Sequence, residues 1–197
     1  MSIVPPTQVD VLQRMVVAVE QVRQRLIRAA AALDEAKLSY AVVGGNAVAA
    51  WVATVDVAAA RNTQDVDVMI RRADLNATIS AMEAAGFVYR HTAGMDLFLD
   101  HAGASARDAV HLIFANEMVR AGEAAPDPDI SESQHNGSFC VLNLEALVRI
   151  KLTAFRRKDQ VHITDLIGVG LIDATWPRRI EPVLAARLQE LIDTPDG

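Results

Sequence analysis

Near the start of the chain apolar residues return at helical spacing: Leu12, Met15, Val16, Val19, Val22, Leu26 and Ile27 share one side of a 3.6-residue period. The spacing predicts one or two amphipathic helices over residues 9–38, laid across a sheet. Pro5 and Pro6 end a short leader before them, and Thr7 is placed to act as N-cap. The period then changes. Residues 40–43 form a short apolar strand closed by Gly44 and Gly45, and the alanine-rich residues 47–53 read as a helix. Residues 65–70 alternate, with Val66, Val68 and Ile70 on one face, as a half-buried strand does. A helix over 75–85 stops at Gly86, and strands follow at 87–91, 95–100 and 109–114 with glycine-containing turns between them. The polar stretch 122–137, which carries Pro and Asp, reads as a surface loop. Helical patterns over 144–157, 161–172 and 180–191 finish the chain. The order is that of an α+β fold: a mixed β-sheet flanked by helices, with a helical C-terminal third, in one domain without internal repeats.

Composition narrows the picture without changing it. Hydrophobic residues make up 51% and charged residues 22% of the 197 positions, an ordinary globular balance. No apolar run approaches the roughly 18 to 20 residues that span a bilayer. The opening MSIVPPTQVD lacks a basic segment followed by an apolar one, so no export signal is visible and a cytoplasmic location is expected. The single cysteine, Cys140, allows no internal disulfide. A net charge of −6 argues against broad nucleic-acid binding but is compatible with a small nucleotide that brings its own metal.

Three segments carry candidate chemistry. In the first, a strand runs into Gly44-Gly45-Asn46 and then a helix, so backbone can approach a ligand closely and helix-opening N–H groups can face a phosphate. A glycine turn with no ligand fits the same residues. In the second, Arg61-Asn62-Thr63-Gln64-Asp65-Val66-Asp67, the two aspartates are two apart and share one strand face. Such carboxylates repel unless a cation lies between them, and hard oxygen donors suit Mg²⁺. Two solvated aspartates on an exposed face are the plain alternative. The third is the helical run from Leu144 to Arg157, in which Lys151 sits among apolar residues, followed by Lys158, Asp159, His162 and Asp165. Read singly, these last residues are a solvated helix face, and Arg156, Arg157 and Lys158 a surface cluster.

Taken in order, GGNAVAAWV, RNTQDVDVMI and LEALVRIKLTAFRRKDQVHITDL resemble the AbiEii-type branch of the nucleotidyltransferase superfamily. That branch includes toxins of toxin–antitoxin systems and is related to the MNT and MenA-like enzymes. The similarity runs over residues 38–172, on Gly44, Gly45, Arg61, Thr63, Asp65, Asp67, Lys151 and Asp165. It implies transfer of a nucleoside monophosphate from a nucleoside triphosphate to a hydroxyl, with Mg²⁺ or Mn²⁺ and loss of pyrophosphate. The acceptor would be a tRNA, a protein or a small molecule, and an antitoxin or a second copy would be the protein partner; a membrane partner is not expected. Asp65 and Asp67 would hold the metal, and Gly44, Gly45 and Asn46 would meet the phosphates. Lys151 would neutralise triphosphate charge, and Asp165 would orient Lys151 or touch the nucleotide. Arg61 and Thr63, in the nucleotide-binding block, would brace the metal strand.

The chain departs from the family at one place. Active members usually carry a third carboxylate on a later strand, and that position falls here on His111. Histidine can act as a general base near neutral pH, but it is a poor Mg²⁺ ligand and biases a site toward Mn²⁺ or Zn²⁺. Asp108 or Asp96 would replace the acid in a different register. If neither does, the expectation becomes a nucleotide-binding or protein-binding module that does not turn over. A DxD glycosyltransferase shares the aspartates, but the short sheet, the Gly-Gly turn and the chain length fit it poorly.

Overall fold

The computed structural model describes residues 8–105, 108–119 and 122–194; Pro5, Pro6 and Thr7 lie outside them. Helix α1 (Gln8–Glu35) is one continuous helix. Only its second half packs into the core, through Leu26, Ala29, Ala30 and Leu33. Leu12, Met15 and Val16 remain exposed at 61%, 60% and 66%, so the expected cover over the sheet is supplied by half of the helix. The apolar stripe was legible, but periodicity cannot say how far the body of the protein extends along it.

Strand β1 (Tyr40–Val43) is followed directly by α2 (Gly44–Ala53), three residues earlier than the sequence pattern suggests. Gly44 makes the reversal with a φ of +66°, a left-handed conformation that costs a residue without Cβ little. Strand β2 (Val66–Ile70) begins one residue later than expected, leaving Asp65 just before it. Then come α3 (Leu75–Ala84), β3 (Val88–Thr92), β4 (Met95–Leu99) and β5 (Ala109–Phe114), close to the expected limits. Ala93 and Gly94, both at positive φ, make the tight β3–β4 turn.

The expected loop over 122–137 is corrected in part. It contains a short 3₁₀ turn (Ile130–Glu132), capped by Asp129, and strand β6 (Ser133–His135), which pairs with β7 (Cys140–Leu142). The sheet therefore has seven strands, in the order β3-β4-β5-β2-β1-β7-β6. Strand β1 runs antiparallel to β2 and parallel to β7, and β2 runs parallel to β5.

Past the sheet lie α4 (Leu144–Ala154), α5 (Arg157–Gly168) and α6 (Pro182–Asp193). The pattern had read 144–157 as one helix, but Phe155 adopts a left-handed conformation, φ 44°, and ends α4. Arg187 of α6 fixes that corner. Its Nη1 donates to the carbonyls of Leu152 (2.6 Å) and Thr153 (3.0 Å), two acceptors that the end of a helix leaves without partners. Helix α2 packs on β1 and β2 and against α4 and α5, whereas α1 packs on α3, β2 and β5. The centre of the sheet is thereby fixed against helices from both ends of the chain.

Candidate nucleotide site

Strand pairing aligns the chemistry-bearing residues. Asp67 lies opposite Val43 on one side and opposite His111 on the other. Residues opposite one another project to the same face, so Gly44, which follows Val43, turns directly over the Asp67 carboxylate. A Cβ on Gly44 would lie 1.9 Å from Asp67 Oδ2, so glycine alone fits there without displacement. A Cβ on Gly45 would lie 2.9 Å from Thr63 Oγ1, which places Thr63 and the chain before β2 against the start of α2. The residue preceding α2, Val43, offers no side-chain cap, so the first N–H groups of the helix receive no side-chain acceptor from it.

The other oxygen of Asp67 faces His111, with Nδ1 3.6 Å from Oδ1. Burial pushes the Asp67 carboxyl up, but the contact with His111 and the charges of His111, Lys151 and Lys158 outweigh it and hold the group below the ordinary carboxylate range. Asp65 is half-buried at the entrance to the strand, and its backbone carbonyl accepts from Asn46 Nδ2 at 2.7 Å. The Asn46 side chain thus ties the start of α2 to the residue before β2.

Lys151 lies in α4 with only 4% of its side chain exposed, and its Nζ donates to Asp159 Oδ1 at 3.3 Å. Burial pulls the Lys151 ammonium below its usual value, while Asp159 and Asp67 push it back. Asp159 is completely buried and also accepts from Arg156, from Nε at 2.7 Å and from the backbone N–H at 3.2 Å. Burial raises the Asp159 carboxyl, but Arg156 and Lys151 bring it below the usual range. Lys151 thus meets Asp159, whereas the sequence suggested Asp165 as the residue that orients it or touches the nucleotide. Asp165 instead accepts from Arg61 Nε at 2.8 Å and so ties the segment before β2 to α5. Reading the run from Arg156 to Asp159 as a solvated face misses this, because the break at Phe155 turns Asp159 inward. The one available signal was a carboxylate one turn into an amphipathic helix.

His162 is also drawn in. Its Nδ1 is buried without a hydrogen-bond partner, beside a small cavity that Gly45, Thr63 and Asp165 also line, and burial lowers its pKa to about 4.

The alternatives for a third acid do not reach Asp67. Leu97 is opposite His111, so Asp96, one residue away, projects to the other face, where it accepts from Tyr89 Oη at 2.5 Å and contacts His91 Nδ1 at 2.8 Å. Asp108 is exposed ahead of β5 and lines a cleft with Gln21 and Arg25 of α1. His111 lies in register with Asp67 on the neighbouring strand. Among the described residues, no three His, Cys, Asp or Glu side chains converge as a metal-holding group.

The path of the sheet and helices has counterparts among solved structures. The chain is similar to the antibiotic-resistance factor ANT(2'')-Ia in solution, at 16% identity over 89% of this chain and 93% of that one, with a TM-score of 0.54. It is similar to an antigenic nucleotidyltransferase-like protein from Paracoccidioides brasiliensis, at 18% identity over 89% and 90%, TM-score 0.56. This is a nucleotidyltransferase fold. The same fold relates the chain to JHP933 from Helicobacter pylori, at 14% identity over 92% of this chain and 76% of that one, TM-score 0.52. No family model matches the chain, and no curated protein matches it. Within the nucleotidyltransferase fold, then, this chain brings Gly44, Asp67 and His111 together on the centre of the sheet, and the charge of Lys151 reaches Asp67 from α4. No helix of the described residues is long and apolar enough to cross a membrane.

Proposed function

We propose that this chain is a nucleotidyltransferase that moves a nucleoside monophosphate from a nucleoside triphosphate to a hydroxyl. The observation that carries the proposal is the Asp67 carboxylate, closed over by the Gly44 turn that opens α2 and in register with His111. A divalent cation fits this donor set only together with the substrate. Asp65 and Asp67 supply two carboxylates, and Mg²⁺ is commonly held by one or two carboxylates, with phosphate oxygens and water completing its shell. When bound, the cation would polarise the phosphate and offset charge in the transition state. Backbone N–H groups at Gly44 and Gly45 would donate to phosphate oxygens at the positive end of α2. Lys151 would oppose the triphosphate charge. The acceptor oxygen would form a bond to the α-phosphorus as the bond to the bridging oxygen breaks, and pyrophosphate would leave with that electron pair. His111, beside Asp67, would in its neutral form take the acceptor's proton.

The finer reading, a toxin-like enzyme of the AbiEii type with an antitoxin partner, rests on the sequence resemblance; its acceptor would be a tRNA, a protein or a small molecule. One observation favours a second reading. His111 occupies the in-register place beside Asp67 where a carboxylate is expected, which suits a module that binds nucleotide without transfer.

Calorimetric titration with each of the four nucleoside triphosphates tests the proposal, with Mg²⁺, with Mn²⁺ and with excess chelator, beside the Asp65→Ala/Asp67→Ala double variant. Metal-dependent binding of a triphosphate, lost in the variant, is the expected result. Absence of binding under every metal would sink it. Binding without transfer to any tRNA, protein or small-molecule acceptor would favour the second reading.

A further inference from the structure

The buried carboxylate of Asp159 closes the capping box at the start of α5 and, beyond that, gathers two cations. It accepts from Lys151 Nζ at 3.3 Å and from three donors of Arg156: Nε at 2.7 Å, the backbone N–H at 3.2 Å and Nη2 at 3.4 Å. A fully buried anion shared by two cations is costly to desolvate, and replacing such a group with apolar residues is often neutral for stability. What the arrangement provides is orientation. Lys151 is held at the inner end, 4% exposed, while Arg156 keeps 45% of its side chain exposed at the rim. With Nε and Nη2 turned to Asp159, the Nη1 edge of the guanidinium remains to be offered outward. Helices α4 and α5, which carry the two cations, both pack against α2, whose first residue, Gly44, closes over Asp67.

We propose that Asp159 is a positioning residue that presents Lys151 and Arg156 as a two-cation clamp for the β- and γ-phosphates of the triphosphate, with Arg156 as a binding residue in its own right. The inference rests on reading the site as one for a triphosphate. It adds a rim arginine to the expected lysine, and it explains why α4 ends abruptly at Phe155. A helix continued through that point would carry Arg156 and Asp159 away from Lys151, whereas the left-handed residue folds α5 back so that one carboxylate meets both cations. A planar guanidinium matches two phosphate oxygens at once, which a lysine ammonium does not.

The test uses inorganic tripolyphosphate as the probe, with chelator present, so that neither metal nor nucleoside contributes. The wild-type protein is titrated beside Arg156→Met, Lys151→Met, Asp159→Asn and, as a control from the adjacent exposed position, Arg157→Met. Arg156→Met and Lys151→Met are each expected to weaken binding at least tenfold, and Arg157→Met to leave it within about twofold. Asp159→Asn carries the sharper prediction. Removing a negative charge from an anion site should tighten binding if Asp159 acts through charge alone, and should weaken it if Asp159 orients the cations. Weaker binding by Asp159→Asn, with its melting transition intact, supports the proposal; tighter binding overturns the positioning role. Should Asp159→Asn fail to fold, Arg156→Met still decides, because the residue is half-exposed: wild-type affinity in that variant overturns the clamp. The nucleotidyltransferase reading fails in a different place, by absence of metal-dependent nucleoside triphosphate binding to the wild type.

Discussion

Gly44 and Asp67 are in a relationship that allows no side chain on one and leaves little freedom to the other: a Cβ on Gly44 would lie 1.9 Å from Asp67 Oδ2. The contact sets the height of the α2 N-terminus above β2. Gly44→Ala is expected to cost about 1–2 kcal/mol for the left-handed conformation, with the displacement of Asp67 in addition. Gly45→Ala, which has no positive φ and would meet only the Thr63 side chain, should cost less. Urea denaturation of both variants checks the order, and equal losses would mean that the close approach to Asp67 relaxes freely.

His111→Asp restores a carboxylate in register with Asp67. Two like charges directly opposite one another on neighbouring strands should lower stability without metal, by roughly 1 kcal/mol. Mg²⁺ should then raise the melting temperature of the variant more than that of the wild type. A melting temperature indifferent to Mg²⁺ in both proteins would argue against a cation between these strands.

Two buried groups make opposing contributions to the pH dependence of stability. Asp127, with Oδ2 buried and without a hydrogen-bond partner among the described residues, is raised by burial and by Glu123 to about 6. Its pKa is higher folded than unfolded, so its contribution is fully present below the unfolded value of 3.8 and is lost as pH rises through about 6. His162 is lowered by burial to about 4, so its contribution is present above 6.5 and is lost as pH falls toward 4. The two nearly cancel between pH 4 and 6. Asp127→Asn should therefore be more stable than wild type at pH 7, on the order of 1 kcal/mol, and fall steeply on acidification. His162→Gln, left with the Asp127 contribution alone, should instead gain stability as pH falls from 6 to 4. Equilibrium denaturation from pH 4 to 7 reads both slopes.

Trp51→Phe isolates a single tie between α2 and the sheet. Trp51 Nε1 donates to the Leu142 carbonyl in β7 at 3.0 Å. Its loss should cost about 1 kcal/mol in denaturant unfolding, as an unsatisfied carbonyl does. A loss under a few tenths would show that the ring alone fixes α2 there.

Much of this architecture was legible in the residues. The alternation at 65–70 puts Asp67 on the face away from Val66 and Val68; that His111 lies opposite it comes from the parallel pairing of β2 with β5. The hairpin of β6 and β7 was not legible, because Ser133–His135 has no apolar alternation and Cys140–Leu142 is too short to signal. Strand β7 is held by its parallel neighbour β1, a partner that local pattern cannot name. The break after α4 was hidden for a related reason: Phe155 is neither glycine nor proline, and its left-handed conformation accompanies the packing of Arg187, 5.1 Å over its ring. Without that corner, the spacing puts Asp159 on a solvated face, and its contact with Lys151 is not visible from sequence.

The spread of the site along the chain sets the timing of its assembly. Gly44, Asp67 and His111 leave the ribosome before β7 exists to flank β1, and Lys151, Arg156 and Asp159 follow later still. At about 5–20 residues per second, the interval between His111 and Asp159 is several seconds, during which the sheet carries an acid and a histidine with no clamp above them. Phosphate-binding capacity should therefore switch on late and abruptly during synthesis, when α5 folds back over α4.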